Sequence, residues 1–114
     1  MKTQLNNLSP EDFKKAIETH PDAILLDCRT PDEYAYSRIG RAINFNYLSH
    51  NFVEEMEKLD PTGTFLVYCR SERRSLRTCT LLRNGGFQNV YNLDGGLIKW
   101  LDTFGEDCLD RNIL

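Results

Sequence analysis

The chain has 114 residues, of which 40% are hydrophobic, and a formal net charge of −3. This length and hydrophobic content suffice for one buried core, so we expect a single domain over residues 1–114. The acidic balance argues against general affinity for nucleic acids or membranes. No apolar run approaches the length of a membrane span, and residues 1–7 lack the hydrophobic core of a secretory signal, so we expect a cytoplasmic location.

Helix and strand signals alternate in the first half of the chain. Residues 9–12 combine a serine N-cap, a proline at the first helical position and an acidic residue three positions after the cap, which predicts a helix to about Thr19. Residues 23–27 are typical of a buried strand. Residues 30–33 repeat the capping pattern and predict a second, short helix.

The alternation continues in the second half. Residues 51–59 predict a helix that ends in a turn at 60–63, and strands follow at 64–68 and near 89–92. A glycine pair at 95–96 predicts the turn into a last helix with an apolar face. This order of elements is typical of an α/β domain with a parallel sheet.

The segment after the strand at 64–68 has the marks of a reactive site. Cys69 ends the strand and is followed by a basic stretch, and Ser75 is a candidate N-cap for the next helix. Cationic neighbours and a helix N-terminus favour the thiolate, which is the nucleophilic form of cysteine. The same groups bind anions, and the spacing favours Arg74 at the loop–helix junction as an anion ligand.

A structural interpretation of the same residues is that Cys69 is a small core residue and that the arginines form a solvated surface. The dense cationic loop favours the reactive interpretation, because a buried structural thiol rarely needs such surroundings. Asp27 and Arg29 follow the preceding strand, so they are expected near Cys69 at the carboxyl edge of a parallel sheet. For these two residues we favour a structural ion pair.

The remaining cysteines and the histidines do not predict a metal site. The four cysteines include no Cys-x-x-Cys pair, and His20 and His50 lie in polar surroundings. By strand alternation Cys28 points away from Asp27, so we expect a core residue, with a resolving thiol as the alternative. A disulfide scaffold is not expected in a reducing compartment. The two cysteines outside the strands are expected in the core and in an exposed C-terminal tail, respectively: Cys79 and Cys108.

The pattern Cys-x-x-x-x-Arg-Ser after a strand, at residues 69–75, resembles the active-site loop of rhodanese-like sulfurtransferases. Residues 25–34 resemble the Asp-x-Arg strand end of that family, residues 39–44 its Ala-Ile-Asn strand, and residues 85–100 its closing section. The resemblance extends over residues 5–104. It implies a three-layer α/β fold in which helices flank a mostly parallel central sheet of about five strands.

The resemblance also implies an activity. Cys69 would accept a sulfane sulfur from thiosulfate or a persulfide donor and pass it, as a persulfide, to a thiol, including a protein thiol, or to cyanide, without a cofactor. The glycine pair at 95–96 would border the site. Asp27 and Arg29 would support the loop. The loop residues expected to bind the sulfur-containing anion are Arg70, Ser71, Glu72, Arg73, Arg74 and Ser75.

Two segments depart from the family pattern. Glu72 stands where the loop usually has glycine, which tolerates backbone angles that glutamate resists. Its carboxylate would oppose a dianionic donor such as thiosulfate unless it turns outward or pairs with Arg70 or Arg73. Residues 37–41 replace a Gly-His-Ile-Pro-Gly turn and add two cations.

Two alternative functions therefore stay open. One is a non-catalytic persulfide relay or protein-binding module, which Glu72 favours. The other is a Cys-dependent phosphatase or arsenate reductase, whose Cys-x5-Arg loop places arginine one residue further from cysteine than Arg74 lies from Cys69. The shorter loop favours sulfur over phosphate.

Overall fold

A computed structural model of the protein describes residues 6–106 and 109–111, so Cys108 lies outside the described residues. A five-stranded sheet in the order β1-β6-β5-β2-β4 forms the centre, and all its strand pairs are parallel. The strands are β1 Asn6–Leu8, β2 Ile24–Asp27, β3 Ser37–Arg38, β4 Ile43–Asn44, β5 Thr64–Tyr68, β6 Asn89–Leu93 and β7 Asp110–Arg111; the helices are α1 Pro10–Thr19, α2 Pro31–Tyr36, α3 Phe52–Glu57, α4 Arg73–Asn84 and α5 Gly96–Phe104.

Helices cover both faces of the sheet, which confirms the predicted α/β architecture. Alternate residues of β5 enter opposite cores: Val67 packs with residues of α3 and α4, whereas Leu66 packs with residues of α1 and α5. Cys28 and Cys79 are buried in the first of these cores, as expected. An antiparallel pair, β3 with β7, was not predicted. Within the described residues no helix is both long and apolar enough to cross a membrane.

The predicted N-caps of the first two helices are confirmed. The Ser9 side chain accepts a hydrogen bond from the Asp12 N–H, and Thr30 forms a complete capping box with Glu33. The N-cap predicted at Ser75 is wrong. Helix α4 begins at Arg73 because the chain turns into the left-handed conformation at Glu72, which leaves Ser75 inside the first helical turn.

The two arginines within residues 37–41 donate hydrogen bonds to backbone carbonyls of neighbouring helices. The Arg41 guanidinium donates to the carbonyls of Ile17 and His20 at the end of α1, and the Arg38 guanidinium donates to the Tyr34 carbonyl. Cationic donors commonly satisfy the last carbonyls of a helix in this way. These arginines therefore join the 37–41 turn to neighbouring helices.

A buried polar cluster joins β2 to β5 below the loop that follows Cys69. The Asp27 carboxylate is fully buried and accepts hydrogen bonds from the Arg29 guanidinium at 2.7 Å and from the Tyr68 hydroxyl at 2.7 Å. The Tyr68 hydroxyl in turn accepts from the Ile39 N–H at 3.0 Å. Burial, reinforced by the Asp27 charge, raises the pKa of Tyr68, so its phenol stays protonated and donates. This geometry agrees with the structural interpretation of Asp27 and Arg29.

We predict that Tyr68→Phe destabilises the fold by about 1–3 kcal/mol, because it leaves a buried N–H and a buried carboxylate oxygen each without one partner. The matched control is Tyr34→Phe, which removes one hydrogen bond from a partly buried hydroxyl to the Ala42 carbonyl. Urea unfolding measures both. Equal losses in the two variants would contradict the role given to the buried cluster.

Candidate active site

Cys69 lies directly after β5, at the carboxyl edge of the central sheet and with only 1% of its surface exposed. The flanking strands β2 and β6 pair with β5 over most of its length, so the end of the strand is fixed in position. Ligands of open parallel sheets gather at this edge. The Cys69 thiol therefore lies at the carboxyl edge of the sheet, where the sequence analysis predicts a reactive group.

The Cys69 sulfur contacts the first turn of α4. The Ser75 N–H points at Sγ with an N···S distance of 3.3 Å, and the Ser75 hydroxyl oxygen lies 3.4 Å from Sγ. An N–H near a helix N-terminus has no partner within the helix and favours negative charge. This amide is thus placed to stabilise a thiolate.

The N-terminus of α5 holds the loop that follows Cys69. The Leu97 N–H donates to the Cys69 carbonyl at 2.9 Å, and the Ile98 N–H donates to the Arg70 carbonyl at 3.0 Å. A Cβ at Gly96 would lie 2.5 Å from the Arg70 carbonyl oxygen, so only glycine permits this approach. The expected contact between the glycine turn and the loop is confirmed.

Glu72 adopts φ 80°, and among the described residues it is the one non-glycine residue with a positive φ. Glycine is favoured in this conformation, and glycine is the residue that the family loop usually has at this position. Its carboxylate accepts a hydrogen bond from the Gly95 N–H at 2.5 Å. A backbone amide of the α5 turn therefore partners Glu72, a contact that the sequence did not predict.

The loop arginines differ in their surroundings. Arg74 is half-buried and pairs with Glu33 across a 3.5 Å N···O distance. Partial burial opposes ionisation of Glu33, but hydrogen bonds from Thr30 and the nearby arginine charges prevail and lower the pKa of Glu33. The side chains of Arg70, Arg73 and Arg77 are exposed and form no hydrogen bond or ion pair with other described residues. Ser71 is exposed as well.

The two other cysteines that the structure describes, Cys28 and Cys79, are poorly suited to act as resolving thiols for Cys69. Burial raises the pKa of Cys28 well above its usual range and raises the pKa of Cys79 to about 12. Both are therefore protonated at neutral pH, and thiols in that form are weak nucleophiles. Within residues 6–106 and 109–111 no group of three or more potential metal-ligating side chains occurs.

Asn92 is a site neighbour that the sequence analysis missed. It is fully buried on β6, and its side-chain oxygen accepts from the Ser75 hydroxyl at 2.6 Å. Its side-chain nitrogen donates to the Asn7 side chain at 2.9 Å. The available signal was a polar residue at a core position of a predicted strand, since a buried amide requires hydrogen-bond partners.

Comparison with known proteins decides the family. The family model of the rhodanese-like domain matches residues 9–103. The chain belongs to the rhodanese-like domain family. The rhodanese-like sheet and its loop after β5 thus provide the frame for the site described above.

Two relatives illustrate the range of rhodanese-like proteins. A sulfurtransferase of Allochromatium vinosum is 31% identical over 96 residues, which cover 84% of this chain and 88% of that protein. A tRNA uridine(34) hydroxylase of Acaryochloris marina is 29% identical over 104 residues, which cover 88% of this chain but only 33% of that protein. The chain therefore matches about one third of the hydroxylase and nearly all of the sulfurtransferase.

Solved structures agree with this assignment. A rhodanese-like domain from Anabaena sp. superposes with a TM-score of 0.79 at 24% identity, covering 94% of this chain and 80% of that chain. The polysulfide-sulfur transferase homodimer of Wolinella succinogenes gives a TM-score of 0.74 at 30% identity, covering 90% of this chain and 77% of that chain. Sulfurtransferase-named relatives support a rhodanese-type enzyme.

We predict that Gly96→Ala destabilises the fold much more than Gly86→Ala. Both glycines have a positive φ, at 65° and 95°, so alanine is strained by about 1 kcal/mol at either position. Only at Gly96 does the added methyl also collide with the loop backbone, whereas at Gly86 no described atom lies within 4 Å of the added Cβ. Urea unfolding of the two variants checks this, and similar losses would contradict the tight contact between α5 and the loop.

Proposed function

We propose that this protein is a sulfurtransferase that moves a sulfane sulfur from thiosulfate or a persulfide donor, through a persulfide on Cys69, to a thiol or cyanide acceptor. The observation that carries the proposal is the direct approach of the Ser75 N–H to the Cys69 sulfur at the N-terminal turn of α4. Sulfurtransferase-named relatives that align over most of the chain support it.

The reaction has two half-reactions. The Cys69 thiolate attacks the outer sulfur of thiosulfate, a new S–S bond forms, the S–S bond of thiosulfate breaks, and sulfite leaves with the bonding electron pair. Cyanide or an acceptor thiolate then attacks the outer sulfur of the persulfide, which releases the Cys69 thiolate with its electron pair. Covalent catalysis of this kind divides one transfer into two easier steps.

The loop supplies the electrostatics for both steps. The exposed guanidinium groups of Arg70 and Arg73 lack partners among the described residues and can receive an anionic donor, while Ser71 adds a hydroxyl at the same surface. Arg74 contributes positive charge but shares it with Glu33. Ser75 supplies an N–H to the sulfur. Asp27 and Arg29 act by holding the strand end below the loop.

A persulfide relay between proteins is the second candidate function. The carboxylate of Glu72 within the loop disfavours dianions, and Cys69 is buried, so a partner that delivers a persulfide chain fits the site better than a compact dianion. The phosphatase alternative is less well supported, because Arg74 is one residue too close to Cys69 in sequence and is paired with Glu33.

We predict that incubation of the reduced protein with thiosulfate adds one sulfur atom to the intact mass and supports thiocyanate formation with cyanide. Cys69→Ser should abolish both signals, whereas Cys79→Ala, a matched change of a buried thiol on α4, should retain them. Mass spectrometry and a thiocyanate assay provide the measurements. A mass gain that survives in Cys69→Ser would refute the role of Cys69, and a gain without turnover would favour the relay.

We predict that Glu72→Gly and Glu72→Gln both raise kcat/KM for thiosulfate, by about three- to tenfold. Each removes a negative charge at a half-buried position, and the repulsion of a solvated dianion by such a charge is on the order of 1 kcal/mol. The glutamine variant keeps a side chain that can still accept from the Gly95 N–H, so it separates charge from loop geometry. Thiocyanate kinetics over a range of thiosulfate concentrations measure the effect. Unchanged or lower activity in Glu72→Gln would show that the carboxylate does not oppose the donor.

A further inference from the structure

A chain of buried polar side chains runs from the Cys69 sulfur into the sheet. The Ser75 hydroxyl lies 3.4 Å from Sγ and 2.6 Å from the Asn92 side-chain oxygen, and the Asn92 side-chain nitrogen reaches the Asn7 side chain at 2.9 Å. Ser75 and Asn92 each have 0% of their surface exposed. Water therefore does not compete for these groups, and their hydrogens follow from the partners present.

The single proton of the Ser75 hydroxyl is directed away from the sulfur. The amide of Asn92 is oriented by its donation to Asn7, which leaves its carbonyl oxygen facing Ser75, and a carbonyl oxygen can only accept. The other acceptor within reach of this hydroxyl is the Glu72 carbonyl at 3.0 Å. With its proton committed to either acceptor, the Ser75 oxygen offers a lone pair to Cys69 and accepts from the S–H.

Loss of the Cys69 proton reverses what the sulfur requires. A thiolate only accepts hydrogen bonds, so a lone pair of Ser75 at 3.4 Å opposes it. For the Ser75 hydroxyl to turn and donate to the sulfur, the Asn92 carbonyl oxygen must lose its buried donor, which is unfavourable. Asn92 and the thiolate thus compete for one proton.

We propose that Asn92 is a positioning residue that holds the Ser75 hydroxyl as an acceptor toward the Cys69 thiol and so restrains formation of the nucleophilic thiolate. The inference rests on the proposed function only in taking Cys69 as the reacting thiol. Removal of the amide takes away the closer of the two acceptors, so that the Glu72 carbonyl at 3.0 Å alone competes with the sulfur for the Ser75 proton among the described acceptors, and the thiolate population increases. The effect passes through Ser75, because the Asn92 amide hydrogen-bonds to that hydroxyl.

Other titratable or charged groups surround Cys69 and are left unchanged by the test. Two neighbouring thiols interact electrostatically with Cys69, one at the end of β2 and one on α4. The loop and the first two turns of α4 add charged residues. The groups named here are Cys28, Cys79, Arg70, Glu72, Arg73, Arg74 and Arg77.

The test follows the ultraviolet absorbance of the thiolate across neutral pH, with the same variant carrying Cys69→Ser subtracted so that the other cysteines cancel. We expect Asn92→Val to raise the ratio of thiolate to thiol at Cys69, compared at the same pH, about three- to tenfold, the range given by one redirected hydrogen bond to a charged group. Asn92→Ala, which introduces no steric conflict, should change it in the same direction. Asn89→Val alters the other asparagine of β6, which is exposed, and should leave the fraction unchanged.

A double-mutant cycle separates this role from a merely structural one. In a Ser75→Ala background the Asn92 substitutions should have no effect on the thiolate fraction, because the hydroxyl through which they act is gone. An effect of the Asn92 substitutions that persists in the Ser75→Ala background would overturn the proposal. So would an unchanged thiolate fraction in Asn92→Val and Asn92→Ala, provided that both variants unfold cooperatively and are therefore folded. The absorbance requires no sulfur donor, so failure of sulfur transfer and failure of this inference are distinguishable.

Discussion

The loop that carries Cys69 depends on donors from a helix that is distant in sequence. The first N–H groups of α5 have no intrahelical acceptors, and they satisfy the carbonyls of Cys69 and Arg70 as well as the carboxylate of Glu72. This arrangement requires the backbones to approach closely, which the left-handed Gly96 at the start of α5 permits. These bonds hold the loop against α5, and the Ser75 N–H is directed at the Cys69 sulfur.

The positive charge of the site interacts unfavourably with the dipole of helix α4, at whose N-terminus it lies. The first turn of α4 contains Arg73 and Arg74 and no acidic residue, although cations near a helix N-terminus are typically unfavourable by about 0.3–1 kcal/mol each. Glu33 offsets one of these charges from α2. An anionic donor in the loop, as proposed, would balance the charge that remains. A local arrangement that lowers stability in this way is characteristic of a binding site.

Local signals predicted most of the frame, whereas contacts distant in sequence determined the details of the site. The caps at Ser9 and Thr30 and the strand that leads to Cys69 depend on neighbouring residues, so the sequence was sufficient for them. The N-cap at Ser75 was predicted wrongly, because the left-handed turn at Glu72 starts α4 earlier. Its carboxylate bond to Gly95 and the burial of Asn92 depend on how α5 and β6 pack against the loop, which no local pattern encodes.

Glu72 combines a backbone conformation that suits glycine with a side chain that glycine lacks. A left-handed conformation is unfavourable for glutamate, and the charged hydrogen bond to the Gly95 N–H acts in the opposite direction by joining the loop to α5. The carboxylate is thus a structural part of the loop that follows Cys69, and its negative charge is held at the α5 turn. Because a fixed negative charge repels a dianion about twice as strongly as a monoanion at the same distance, Glu72 would, under the proposed function, bias the loop toward donors of lower charge, such as a thiol persulfide.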